Sequence, residues 1–230
     1  MKTYKFLYLV LISVFISCVG QVNKNKISSC KVDGKWNLLI KANSTAGWHN
    51  YLKDSVVGWK VQDSILFTPG NQGDIVTNNI YENFDLSLEW KINDKGNSGV
   101  FFNVVEKPEY KWMYETGPEF QIIDNINYPE KITEREKTGS LSDVIAPSKS
   151  AVKKTGEWNL TRILVDKGHV EHWLNGQKIL EYELGSKVLK EKIANSKFAK
   201  LYYAKEKRGR IGLQDHGTPV YFRNIKIKVL

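Results

Sequence analysis

Near the end of the chain, Gln214, Asp215 and His216 stand together between two strand-like runs, in Arg210-Ile-Gly-Leu-Gln-Asp-His-Gly-Thr-Pro-Val-Tyr-Phe-Arg-Asn-Ile225. An amide, a carboxylate and an imidazole at a strand end can be held at fixed distances by a rigid scaffold. An imidazole also trades a proton near neutrality. His216 is one of only 4 histidines, so its placement carries weight. The plainer reading is a turn, in which a Gly-flanked Asp bonds its own backbone. The two readings are compatible if the glycines bend the chain so that His216 is presented and Asp215 is scaffold.

Three other polar groups bear on the choice. In Tyr114-Glu-Thr-Gly-Pro-Glu-Phe-Gln-Ile-Ile-Asp-Asn125, the strand period puts Glu119, Gln121 and Ile123 on one face and Phe120 and Ile122 on the other. That polar face looks either at solvent or into a cleft. Glu115 precedes Gly117-Pro118 and reads as a loop residue. Glu119 and Asp124, five apart, project to opposite faces, which counts against them as the facing carboxylates of an ordinary glycosidase unless Asp124 lies past a bend. The segment Asn93-Asp-Lys-Gly-Asn-Ser-Gly-Val-Phe-Phe-Asn103 reads as a turn through Gly96-Asn-Ser-Gly99, or as a loop whose Asn97 meets hydroxyls. His172, beside Trp173, fits core, surface or site equally.

These groups need a scaffold, and the period of two supplies one. Phe84, Leu86, Leu88, Trp90 and Ile92 alternate with Asp85, Ser87, Glu89 and Lys91, a half-buried strand. Similar runs occur at Trp59 to Val61, Ile65 to Thr68, Asp74 to Thr77, Val100 to Val105, Phe120 to Asp124, Leu160 to Val165, Val170 to Leu174, Lys178 to Leu184, Ile211 to Leu213 and Val220 to Val229. Asp166-Lys-Gly-His169 and Asn175-Gly176 are hairpin signals. Only Lys187 to Ala204 looks helical. About a dozen short strands predict an all-β jelly-roll sandwich of two antiparallel sheets with one short helical insertion.

The chain has 230 residues and a formal charge of +9. Its basic residues are spread out and interleaved with acids, which describes a solvated face better than a nucleic-acid surface. Lys2 and Lys5 precede an apolar run, Phe6 to Ile16, too short to span a bilayer. Phe15-Ile16-Ser17-Cys18 resembles a bacterial lipobox, with Phe15 where Leu is usual. Residues 1–17 are therefore expected to be a lipoprotein signal peptide, with lipidation at Cys18. Residues 18–34 form a polar tether, and 35–230 a single domain. An ordinary cleaved signal near Cys18 is the alternative. The anchor would place the domain in the bacterial cell envelope. With no acidic residue from Val19 to Lys26, the periplasmic side is expected. With Cys18 acylated, Cys30 is left alone and no disulfide framework forms.

The chain has no His-Glu-x-x-His, Cys-x-x-Cys, phosphate loop or Gly-x-Ser-x-Gly, which removes several hydrolase and nucleotide-binding classes. Carboxylates, amides and a histidine on a β scaffold with 7 Trp and 11 Tyr suit carbohydrate. Aromatic rings offer flat apolar faces, and polar groups bond hydroxyls.

Taken in order, Gly47-Trp48, Trp59 to Leu66, Phe84 to Ile92, Gly96-Asn-Ser-Gly-Val-Phe-Phe102, Tyr114 to Asn125, Gly156-Glu-Trp-Asn159, His172-Trp-Leu-Asn-Gly176 and Ile211 to Ile225 resemble the 3-keto-disaccharide hydrolase domain family. The resemblance runs from about Trp36 to Leu230. It departs at Leu141-Ser-Asp-Val-Ile-Ala-Pro147 and at the Lys187 to Ala204 insertion. It implies a concanavalin A-like jelly roll and cleavage of glycosides oxidised at C3, by hydrolysis or as a lyase. A C3 ketone acidifies the C2 proton, a base removes it, and the C1 substituent leaves with help from an acid. His216 and Glu119 are the expected pair. Gln121, Asp124, Gln214, Asn97 and Glu115 are expected to hold the sugar. Arg223 reads as structural, with Asp215 as a partner. The sequence neither requires nor excludes a divalent ion, and it leaves oligomeric state open. The competing reading is a non-catalytic carbohydrate-binding module, since the fold serves both.

Overall fold

The computed structural model describes residues 34–230. The expected leader, Cys18, Cys30 and most of the tether lie outside the described residues. The strands are β1 (Trp36–Leu38), β2 (Trp48–Asn50), β3 (Lys60–Gln62), β4 (Ile65–Thr68), β5 (Ile75–Thr77), β6 (Phe84–Ile92), β7 (Asn97–Val104), β8 (Glu119–Ile123), β9 (Asn159–Asp166), β10 (His169–Leu174), β11 (Gln177–Glu183), β12 (Arg210–Leu213) and β13 (Val220–Val229). They form two antiparallel sheets. The larger runs β11-β10-β9-β6-β13-β4-β3, with β1 also paired to β13; the smaller runs β2-β5-β12-β7-β8. The sheets pack face to face as a jelly-roll sandwich.

Alternation decides which side chains meet between the sheets. Phe84, Leu86, Leu88, Trp90 and Ile92 of β6 face Val100 and Phe102 of β7, Phe120 and Ile122 of β8, and Ile211 and Leu213 of β12 in one buried core. His172 belongs to that core. It is fully buried against Phe102, Phe120 and Tyr182, and its Nδ1 contacts the Gly139 carbonyl at 3.0 Å. Burial pushes its pKa down to about 4, so it stays neutral.

Both hairpin signals hold. Lys167 and Gly168 turn β9 into β10, and Asn175 and Gly176 turn β10 into β11, each pair at positive φ. Three expectations are corrected. The helix, α1, is Lys187–Ala194 and stops at Asn195, where Ser196 begins irregular turns that carry Phe198 and Tyr203 into the core. Gly96 to Gly99 is not the turn: the chain reverses over Asn93 to Gly96, and Asn97 to Gly99 already pair with β8. Arg223 meets Glu89, not Asp215. β13 is bulged there, with Asn224 at positive φ and its amide donating to Glu89.

Candidate active site

Register puts the site on the outer face of the smaller sheet. Phe101 pairs with Glu119 and Gly99 with Gln121, while Gly212 pairs with Phe101 and with Val76 of β5. The side chains of Glu119, Gln121, Phe101, Val76 and Gln214 therefore share one face. Two glycines make room on it. A Cβ at Gly99 would lie 2.2 Å from Glu119 Oε1, and one at Gly212 would lie 2.5 Å from Met113 Sδ. Glycine at 99 is thus explained by the carboxylate folded across it rather than by a turn. Met113 belongs to a short 3₁₀ turn, Met113–Glu115, that packs with Val76, Phe101 and Val104 as a small second core.

Beside that core is a cavity of about 490 Å³, lined by Asn97, Tyr114, Glu119, Gln121, Lys197, Phe198, Leu201, Gln214 and His216. Five of the residues expected from sequence thus come together: Glu119, His216, Gln121, Gln214 and Asn97. Asp215 supplies the turn that presents His216. Its Oδ1 accepts the Asn71 and Gly217 amides, and its Oδ2 accepts the Gln72 amide and the Thr68 hydroxyl. Gly217 completes the bend at φ +82°.

Two expected sugar-binding residues are elsewhere. Asp124 accepts the backbone amides of Lys95, Ile126 and Asn127, and it borders a separate cavity between end loops. Desolvation is outweighed there by those amides, which hold its carboxyl below the ordinary value. Glu115 accepts the Trp112 amide at 2.9 Å, closing the 3₁₀ turn. Both carboxylates are spent on backbone.

Within the cavity the amides form a chain. Ser142 Oγ donates to Gln121 Oε1 at 2.8 Å, Gln121 Nε2 to Asn97 Oδ1 at 3.0 Å, and Asn97 Nδ2 to Tyr128 Oη at 3.1 Å. Gln214 differs, since its Oε1 is buried with no hydrogen-bond partner among the described residues. Such an orphan acceptor is costly unless a ligand donor meets it.

Glu119 is 4% exposed. Desolvation pushes its pKa up to about 7, while the Lys197 charge pulls it down and the Asp74 charge pushes it up. Asp74 is a residue that sequence reading missed. It directly precedes β5, half-buried, and desolvation also raises it to about 7, against a 2.9 Å hydrogen bond from the Asp215 amide. Its only cue was its place before a short strand. Lys197 was hidden in the supposed helix. Its backbone N–H donates to Asp143, which holds the segment over the cavity.

The lining thus offers one carboxylate and one imidazole toward a divalent ion. Among the described residues, the group of three His, Cys, Asp or Glu side chains close enough to share an ion is His169, Glu171 and Glu181, on the other sheet. Its carboxylates already hold Lys178 and the Trp173 indole.

A neutral-range carboxyl, an imidazole and an ammonium around an amide-lined floor can move protons and stabilise an oxyanion. Comparison with known proteins gives the chain a family. The family model of the 3-keto-alpha-glucoside-1,2-lyase-like domain matches residues 35–228. This chain belongs to that family. A 3-keto-disaccharide hydrolase from Bacteroides thetaiotaomicron is 33% identical over 216 aligned residues, covering 80% of this chain and 74% of that protein. A crystal structure from Parabacteroides distasonis, provisionally named a glycosyl hydrolase, superposes with a TM-score of 0.81 at 37% identity, covering 85% of this chain and 94% of that one. A second from the same organism, similarly named, gives 0.67 at 28%, covering 85% and 100%. Within the family, the segment carrying Lys197, Phe198 and Leu201 forms one wall of this member's cavity.

Proposed function

We propose that the protein is a glycoside-cleaving enzyme acting on sugars already oxidised at C3. The observation that carries this is Glu119, a carboxyl raised to about 7 by burial, in a polar cavity that also holds His216. A base poised near operating pH is effective at proton abstraction. Glu119 removes the C2 proton, made acidic by the neighbouring ketone. The C–H electron pair forms the C2–C3 enolate, whose O3 charge is met by the Lys197 ammonium. The enolate then expels the C1 oxygen, and His216, exposed at the cavity rim, protonates it. Release of the unsaturated ketosugar is the lyase outcome, and addition of water across C1–C2 gives net hydrolysis. Gln214 Oε1 accepts a sugar hydroxyl, and the Gln121–Asn97 pair fixes the floor.

The test is turnover of a 3-keto-disaccharide by wild type, Glu119→Gln and His216→Ala. Loss of about 10²-fold or more in kcat/KM is expected for Glu119→Gln. Full activity in both variants would overturn the assignment. Tight binding of unoxidised sugars with no turnover of any 3-keto-glycoside would mark a binding module instead.

The membrane attachment is part of the same proposal. Lipid at Cys18 would hold the domain in the cell envelope, facing the periplasm, where sugars pass. Cys18→Ala should abolish incorporation of labelled fatty acid and move the protein to the soluble fraction. Unchanged labelling would remove the anchor.

A further inference from the structure

One wall of the cavity takes no part in that mechanism, and it continues outside. Tyr114 and Phe198 line the cavity with ring centroids 6.4 Å apart. Phe198 is backed by buried Tyr203, stacked at 4.1 Å and 3°. On the other side, Tyr114 lies 6.4 Å from Trp112, with the two rings only 11° from parallel. Exposure rises along this row: Phe198 1%, Tyr114 38%, Trp112 47%. The row runs from the core, along the cavity wall, to water.

Trp112 and Tyr114 are not loose surface residues. The Glu115 carboxylate accepts the Trp112 amide, Gly117 N–H donates to the Met113 carbonyl, and Met113 is fully buried over Gly212 between them. The turn is thus pinned on both sides of Tyr114. The Lys111 ammonium lies 5.2 Å from the indole's ring centroid. Two large ring faces held parallel and open to water beside a polar cavity form a ready platform for another flat apolar face. Glu119, Gln121 and Gln214 give the reacting sugar a polar floor. In the reaction proposed above, a sugar with C2 toward buried Glu119 would direct its C1 substituent away from that floor, toward Tyr114 of the cavity wall and Trp112 beside it.

We propose that the Trp112–Tyr114 strip is the leaving-group subsite, selecting 3-keto-glycosides whose C1 substituent is a flat ring. An aryl group and the C–H face of a second sugar share that chemistry. The inference rests on the reaction proposed above, and it extends it to substrate choice. Glu115, placed outside the cavity, is then the residue that positions Trp112.

The experiment compares kcat/KM for phenyl 3-keto-glucoside, a 3-keto-disaccharide and methyl 3-keto-glucoside in wild type, Trp112→Ala and Trp112→Phe. The phenyl-to-methyl and disaccharide-to-methyl ratios should fall about tenfold in Trp112→Ala, through KM, and recover in Trp112→Phe. A fall with phenyl alone narrows the class to aryl leaving groups, and a fall with the disaccharide alone narrows it to sugars. Unchanged ratios for both overturn the proposal. If wild type turns over none of the three, the reaction is wrong, and the strip is read by calorimetry with unoxidised phenyl glucoside. Binding weakened in Trp112→Ala supports the subsite; binding that is equal in both proteins, or undetectable, removes it.

Discussion

The two sheets each turn one face outward, and two carboxylates on each are treated in opposite ways. On the larger sheet both carboxylates of β6 have a cation. Arg162 Nε meets Asp85 at 2.7 Å, and Arg223 lies 2.6 Å from Glu89. The guanidinium of Arg223 also covers Trp158 at 4.2 Å, and Arg162 covers Trp173 at 5.4 Å. Desolvation of Glu89 is outweighed by its bonds from Asn224 and Arg223, so it sits below the ordinary value. On the smaller sheet Glu106 is likewise held by Arg210 and His49, but among the described residues Glu119 and Asp74 have no guanidinium, and burial lifts both to about 7. A paired carboxylate is charged throughout the physiological range and serves the fold. A buried one with few donors gains and loses its proton near neutrality, as the base proposed here must.

The largest test of this contrast is Glu119→Gln. Activity should drop by about 10²–10⁴-fold. Stability should move the other way at alkaline pH. The folded state holds a proton near pH 7 that the unfolded chain releases near its ordinary value of 4.5. The stability from that proton is complete below about pH 4.5 and is lost as pH rises through 7. The glutamine variant escapes this loss, so its Tm should exceed that of wild type by several degrees at pH 8. The advantage should vanish at pH 4. Calorimetry at the two pH values decides it. An equal Tm at pH 8 would mean that Glu119 is not strained by burial.

Gly99→Ala attacks the same carboxylate through space. The added methyl meets Glu119 Oε1 at 2.2 Å, so either the carboxylate swings away or the strand shifts. A loss of at least tenfold in kcat and about 1–3 kcal/mol of stability is expected. Retention of wild-type kcat would show that the carboxylate has another working position. The counterpart on the larger sheet is Arg162→Ala, which leaves Asp85, only 7% exposed at its side chain, without its cation. That should cost about 1–3 kcal/mol in urea unfolding while kcat/KM stays as in wild type. A loss of activity there would break the division of labour between the faces.

How much of this was legible in the sequence follows from what each residue answers to. Phe84 to Ile92 reads as a strand because alternation is a local property, and its neighbours across the sheet agree with it. Glu119 and Gln121 could be placed on one face by the same rule, with Phe120 and Ile122 on the other. Whether that face met solvent or a cleft was not local. It depends on glycines at 99 and 212, which belong to other strands, and on Lys197 and Phe198, some 80 residues away. Gly99 is the clearest case. Its type suggested a turn, while its cause was a carboxylate from a neighbouring strand. Asp124 and Glu115 misled for the converse reason. Carboxylates that cap turns look in sequence like carboxylates that do chemistry, and only their hydrogen bonds separate them.

The smallest effect expected tests whether the two neutral-range acids sense each other. Asp74 pushes Glu119 up through its charge. As a base, Glu119 must be ionised, so kcat/KM should rise with pH through a limb near 7. Asp74→Asn removes the opposing charge and should move that limb to lower pH by a fraction of a unit. The substitution keeps the local fold, because an asparagine Oδ1 can still accept the Asp215 amide now bonded at 2.9 Å. The turn that presents His216 therefore survives, and a shifted limb with little change in its plateau isolates the electrostatic term. A limb that moves upward, or stays fixed while the plateau collapses, would mean that Asp74 acts on the turn rather than on Glu119. The two acids would then be neighbours without being a coupled pair.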